Sequence, residues 1–148
     1  MSDAGKSSVF LFRTGTVDLV LALGRLQPFS ELSPEELLGV SSIAERRVFD
    51  AGKLLFAEGD EADGLYAVGA GEIVVERGGR ELARLGPGEV VGELAVLDGA
   101  PRTASVRAAT HVEAFFVAQA DFLELCDASP ALVKNLLRSM ARRLRNAR

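Results

Sequence analysis

The chain has 148 residues and a mass of 15.7 kDa, a size at which one domain buries roughly two thirds of the surface its unfolded chain exposes. With 48% hydrophobic and 26% charged residues and a mean hydropathy of +0.18 it is globular, not disordered or fibrous. A single cysteine, Cys126, excludes an internal disulfide, a single histidine, His111, is too few for a clustered-imidazole metal site, and a net charge of −4 gives no global electrostatic case for nucleic acid.

No run approaches the roughly 18 to 20 apolar residues that a bilayer span needs. The start, MSDAGKSSVFLF, lacks the apolar region and small-residue cleavage site of an export signal. The expectation is a cytoplasmic protein, tethered to a membrane only where a longer parent supplies the anchor.

Residues 1–15 read as a loose terminus and residues 16–148 as one domain. Thr16 to Leu26 places Val17, Leu19, Val20, Leu21, Leu23 and Leu26 in a helix-compatible pattern. Ser33, Pro34 and Glu36 form a capping box with proline at the first helical position, which predicts a helix to about Ile43. The N-terminal segment, 16–45, is therefore helical.

From 46 to 117 the texture changes to short apolar runs, such as Leu65-Tyr66-Ala67-Val68 and Ile73-Val74-Val75, separated by Gly, Asp and Pro. Eleven of the 15 glycines lie between Gly52 and Gly99, which argues for many turns and hence an all-β roll or sandwich. Gly78-Gly79 between two alternating runs predicts a hairpin. No strand here is followed by a crossover helix, so a doubly wound nucleotide fold is disfavoured.

Beyond Val117 the period is helical again, over 118–147. Ser129-Pro130 starts the longest helix, with Leu132, Val133, Leu136, Leu137, Met140 and Leu144 on its apolar side and Lys134, Arg138, Arg142, Arg143, Arg145 and Arg148 on its polar side. The seam Leu132, Leu136, Met140 and Leu144 serves either a homodimer or packing against the roll.

Chemistry concentrates in GELAVLDGAPRTASV, residues 92 to 106, which follows the sharp turn expected at Gly86-Pro87-Gly88. Glu93 to Leu97 allows about one helical turn, and Arg102, Thr103 and Ser105 return beside its start. A guanidinium holds phosphate oxygens in its fork, and a carboxylate accepts hydrogen bonds from sugar hydroxyls. The same two residues are equally able to form an ordinary ion pair that closes a loop.

This stretch resembles the phosphate-binding cassette of the cyclic nucleotide-binding domain family: Gly92, Glu93, Leu94 and Ala95, then Pro101, Arg102, Thr103 and Ala104, stand at the family's spacing. Phe56, Gly59 and Asp60 are similar to its Phe-x-x-Gly-Asp turn, and Gly71 to its strand-entry glycine. The resemblance runs from roughly Leu26 to Leu144. It implies a mainly β fold, an eight-stranded antiparallel jelly roll (double-stranded β-helix) with N-terminal helices and two C-terminal helices. It also implies that Arg102 pairs with a cyclic phosphate and that Glu93 accepts from the ribose 2′-OH. Amides near Glu93, Leu94, Thr103 and Ala104 would complete the cradle, and Val75, Leu85 and Val91 would wall the sugar and base, subject to strand register. In some relatives an arginine of the last helix stacks over the base; here that is Arg143, with Arg142 adjacent.

No cofactor is expected beyond a regulatory ligand, cAMP in preference to cGMP, although Thr103 is a residue that favours cGMP in some relatives. Val91 departs from the family's frequent Phe. The expected function is a sensor that passes occupancy through its C-terminal helix to an effector domain such as a channel, transporter or enzyme. The rival readings are a degenerate roll that binds no nucleotide and the sensory part of a transcription regulator. With Cys126 buried and His111 isolated, no enzyme activity is expected, nor direct nucleic-acid binding or membrane insertion.

Overall fold

The computed structural model describes residues 20–21, 23–26 and 29–146. Its elements are α1 (Pro34–Ile43), β1 (Glu45–Phe49), β2 (Leu54–Phe56), β3 (Gly64–Ala70), β4 (Ile73–Arg77), β5 (Arg80–Leu85), β6 (Val90–Val91), α2 (Glu93–Asp98), β7 (Ser105–Ala108), β8 (Val112–Ala118), α3 (Gln119–Ala128) and α4 (Pro130–Asn146). Two four-stranded antiparallel sheets, ordered β1-β8-β3-β6 and β2-β7-β4-β5, form the expected jelly roll.

Strand side chains alternate between faces, and here both faces of one sheet are covered. Leu65 and Ala67 of β3, Phe115 and Val117 of β8 and Val90 of β6 enter a core shared with the helices, through Phe122, Leu132 and Leu136. Their neighbours Tyr66, Val68, Ala114, Phe116 and Val91 enter the core between the two sheets. This double burial explains why β3, and β8 beyond Glu113, read as apolar runs, and it settles the register of Val91, which faces the inter-sheet side.

The Gly78-Gly79 hairpin joins β4 to β5 with φ of 56° and 79°, the left-handed pair that a two-residue turn of this hand requires. Helix α1 has the expected capping box, Glu36 N–H to Ser33 Oγ at 3.1 Å and Ser33 N–H to Glu36 Oε1 at 3.0 Å. Of the helix expected over Thr16 to Leu26, residues 16–19 and 22 lie outside the described residues; Val20, Leu21, Leu23 and Gly24 are helical, and Leu23 and Leu26 are buried. Three polar contacts tie this N-terminal part to the end of the chain: Ser129 Oγ donates to the Glu36 carboxylate, Asn135 donates to Ser30 O, and Arg138 pairs with Glu31 at 3.3 Å.

The C-terminal seam divides differently from the expected one. Leu132 and Leu136 are core residues and Met140 packs against that core, so they are not available to a second copy, whereas Leu137 and Leu144 are 61% and 75% exposed. A helical period gives an apolar stripe its width but not the partner it faces. Among the described residues no helix is long and apolar enough to cross a membrane.

Candidate functional site

Strand β6 ends at Gly92, whose φ of 89° turns the chain into α2; a Cβ there would lie 2.6 Å from Arg102 Nη1. Both reasons demand glycine. At the other end of α2, Gly99 at φ 73° donates to Ala95 O and turns the chain back toward Arg102. There the turn that follows Phe56 holds the arginine backbone from both sides: Gly59 N–H donates to Arg102 O at 2.9 Å and Arg102 N–H to Asp60 O at 2.8 Å. The Asp60 carboxylate stabilises that turn by accepting from Ala57 N–H at 3.1 Å. The Phe-x-x-Gly-Asp segment thus acts as a clamp on the cassette arginine.

The Arg102 side chain is only 1% exposed. Nη1 donates to Gly92 O at 3.1 Å, while Nη2 donates to Gly64 O at 2.6 Å and to Asp63 Oδ1 at 3.2 Å. One face of the guanidinium lies 4.0 Å from the centre of the Phe56 ring. Glu93 does not pair with Arg102, so the loop-closing ion pair allowed by the sequence is not formed. Instead Glu93 Oε1 accepts from Arg143 Nη1 at 2.6 Å, and Arg143 also donates to Val90 O and approaches Glu89 at 3.6 Å. Burial raises the Glu93 pKa, and the Arg143 charge works against that rise.

Three buried atoms of this corner have no hydrogen-bond partner: Glu93 Oε2, Arg102 Nε and Arg143 Nε. Their side chains line one cavity of about 120 Å³. All of the expected site residues meet there, Val75, Leu85, Val91, Gly92, Glu93, Leu94, Ala95, Arg102, Thr103, Ala104 and Arg143, joined by Phe56 and Val106. A wider cleft of about 530 Å³ adjoins it, with Val75, Leu82, Ala83 and Leu85 on the roll side and Ser139, Arg142, Arg143 and Asn146 on α4. Arg143 belongs to both spaces, whereas Arg142 reaches only the outer one.

Asp63, Gly64 and Val106 were not among the expected site residues, and Phe56 was expected only as part of a turn. Asp63 and Gly64 meet Arg102 across 39 and 38 residues, and no local pattern announces such a contact. Among the described residues no group of three or more His, Cys, Asp or Glu side chains is placed to hold a metal ion. His111 Nδ1 lies 3.6 Å from Asp50, at the start of β8. The Cys126 thiol is partly buried, and burial raises its pKa.

The cyclic nucleotide-binding domain family model matches residues 46–129, from the second residue of β1 through the end of α3. The chain belongs to this family. As a cyclic nucleotide-binding domain it is 40% identical over 124 residues to the cyclic AMP receptor protein of Thermus thermophilus, covering 80% of this chain and 57% of that protein. It is also 35% identical to an uncharacterised NTE family protein of Mycobacterium tuberculosis, covering 92% of this chain and 23% of the relative. Among solved structures, the crystal structure of the Thermus thermophilus catabolite activator protein superposes with a TM-score of 0.71 at 40% identity, covering 80% of this chain and 58% of that one. The domain thus spans little more than half of the first relative and under a quarter of the second.

Proposed function

We propose that this domain binds cAMP in preference to cGMP and passes its occupancy to an effector through α4. The observation that carries the reading is the pairing of a buried guanidinium and a buried carboxylate on one cavity, each with one atom left without a partner. A buried polar atom without a partner costs about 1 to 3 kcal/mol. A ligand with an anionic phosphate beside a ribose hydroxyl meets both needs at once.

The Arg102 Nε–H is the donor for a phosphate oxygen, and Glu93 Oε2 is the acceptor for the 2′-OH. The reversal at Gly92 keeps a side chain out of this space, so the residues fit such a group. The inner cavity, at about 120 Å³, carries the Arg102 and Glu93 atoms that would meet the phosphate and the ribose hydroxyl. The base belongs in the adjoining cleft, against Val75 and Leu85 and beneath α4.

The preference for cAMP draws on the similarity to a protein named for that ligand. The coupling draws on Arg143, through which α4 grips Glu93, Val90 and Glu89 at the rim of the site. A ligand hydroxyl at Glu93 alters the balance of that grip and so shifts the population of α4 positions. The effector is taken to be a domain of a longer parent or a partner protein; in support, the chain spans only 57% and 23% of two dissimilar relatives.

Two measurements test the parts separately. Parallel equilibrium titrations with cAMP and cGMP are expected to give tighter binding for cAMP; equal or reversed affinities would overturn the ligand choice. Amide hydrogen exchange along 130–146 is expected to change when cAMP is added, and an unchanged profile would overturn the coupling.

A further inference from the structure

The charge of Arg102 is buried beside a weak counterion. Its side chain is 1% exposed, while that of Asp63, 3.2 Å away, is 69% exposed. Solvent screens Asp63 and lowers what that pair contributes. The carbonyls of Gly92 and Gly64 take edges of the guanidinium, which leaves its flat faces to be held by something else.

One face rests on Phe56, with Cζ 4.0 Å from the ring centre, inside the roughly 6 Å over which an aromatic quadrupole attracts a cation. The ring is itself backed. It stacks on Tyr66 at 6.2 Å and 26°, and Tyr66 packs on Phe116 at 5.1 Å. Beyond them, Arg47 lies 3.7 Å over Phe116 and donates to the Tyr66 hydroxyl at 2.9 Å. Phe56 also ends β2, immediately before the turn that clamps the Arg102 backbone. A single short segment therefore holds both the main chain and the side chain of Arg102.

We propose that Phe56 is a positioning residue for anion binding at Arg102: its π face, braced by Tyr66, keeps the charged guanidinium in the plane that presents Nε to the site. The proposal rests on the reading of Arg102 as the phosphate partner.

The test compares Phe56→Leu, which keeps apolar bulk and removes the π face, with Phe56→Tyr, which keeps both. Leu is expected to weaken cAMP binding about tenfold and Tyr to stay within about twofold of the parent protein. Leu binding as tightly as the parent, or Tyr losing as much as Leu, would overturn the proposal.

A second measurement needs no ligand. Urea unfolding of Phe56→Leu, Arg102→Gln and the double variant is expected to show non-additive midpoint shifts, because the ring has lost its cation in one background. Additive shifts would overturn the proposal. If the parent protein binds neither cyclic nucleotide, the ligand reading falls while this cycle still decides whether ring and guanidinium are coupled.

Discussion

The two glycines that bracket α2 separate backbone strain from site geometry. Gly92 and Gly99 have φ of 89° and 73°, so alanine at either pays for a left-handed backbone, about 1 to 2 kcal/mol. Their surroundings differ. At Gly99 an added Cβ meets nothing within 4 Å, whereas at Gly92 it falls 2.6 Å from Arg102 Nη1 and 3.4 Å from Arg102 Cζ. The arginine tip can yield, but only by releasing its bonds to Gly92 O and Gly64 O, at 3.1 and 2.6 Å, and with them the placement of Nε. Gly99→Ala is thus expected to lose about 1 to 2 kcal/mol, and Gly92→Ala at least about another 1.5 for the charged hydrogen bonds it releases. Affinity for cAMP should fall at least tenfold in Gly92→Ala, about 1.4 kcal/mol, and stay within about twofold in Gly99→Ala. Urea unfolding gives the first quantity and calorimetric titration the second. Equal affinities in the two folded variants would refute the claim that Gly92 is needed to seat Arg102.

Three further outcomes follow from individual contacts. Burial raises the Glu93 pKa above its ordinary 4.5, so this group's contribution to stability is full below 4.5 and is lost as pH rises through the folded value. Measured from pH 4 to 7, the stability of Glu93→Gln relative to the parent should therefore increase with pH; parallel curves would contradict the raised value. Ser129→Ala removes the acceptor for Leu132 N–H, at 3.2 Å, and should cost about 1 kcal/mol. In the same variant the Glu36 carboxyl, held low first by the Ser129 hydroxyl, should titrate higher by NMR, and an unchanged titration would contradict that link. Gly71→Ala, at φ 90° with a Cβ 2.2 Å from His111 O, should lose at least about 3 kcal/mol, against about 1 for Gly78→Ala, which meets open space. Similar urea midpoints for the two variants would contradict the close approach at Gly71.

What could be read from the chain alone was whatever is local. The cassette from Gly92 to Ala104 puts its chemistry within a few residues, and the capping box at Ser33 and the hairpin at Gly78-Gly79 are likewise self-contained, so each was legible. Contacts closed by the tertiary fold were not. Asp63 and Phe56 reach Arg102 from β2 and the loop after it, and Glu93 takes its partner from α4, 50 residues on. The C-terminal stripe was ambiguous because burial against the roll and pairing with a second helix impose the same period. Strand β7 begins at Ser105, so Thr103 lies ahead of it. The Thr103 carbonyl accepts from Arg77 Nε at 2.8 Å in place of a ladder bond.

The corner of Glu93 and Arg102 is proposed to recognise a cyclic phosphate on a ribose. Calorimetric titration of the protein with cAMP and with 5′-AMP, repeated on Arg102→Gln, tests it most directly. A Kd of about 1 μM is expected for cAMP, near −8 kcal/mol, with much weaker binding of 5′-AMP and near-complete loss of cAMP binding in the variant. No heat with cAMP at submillimolar concentration, equal binding of 5′-AMP, or undiminished affinity without Arg102 would contradict it.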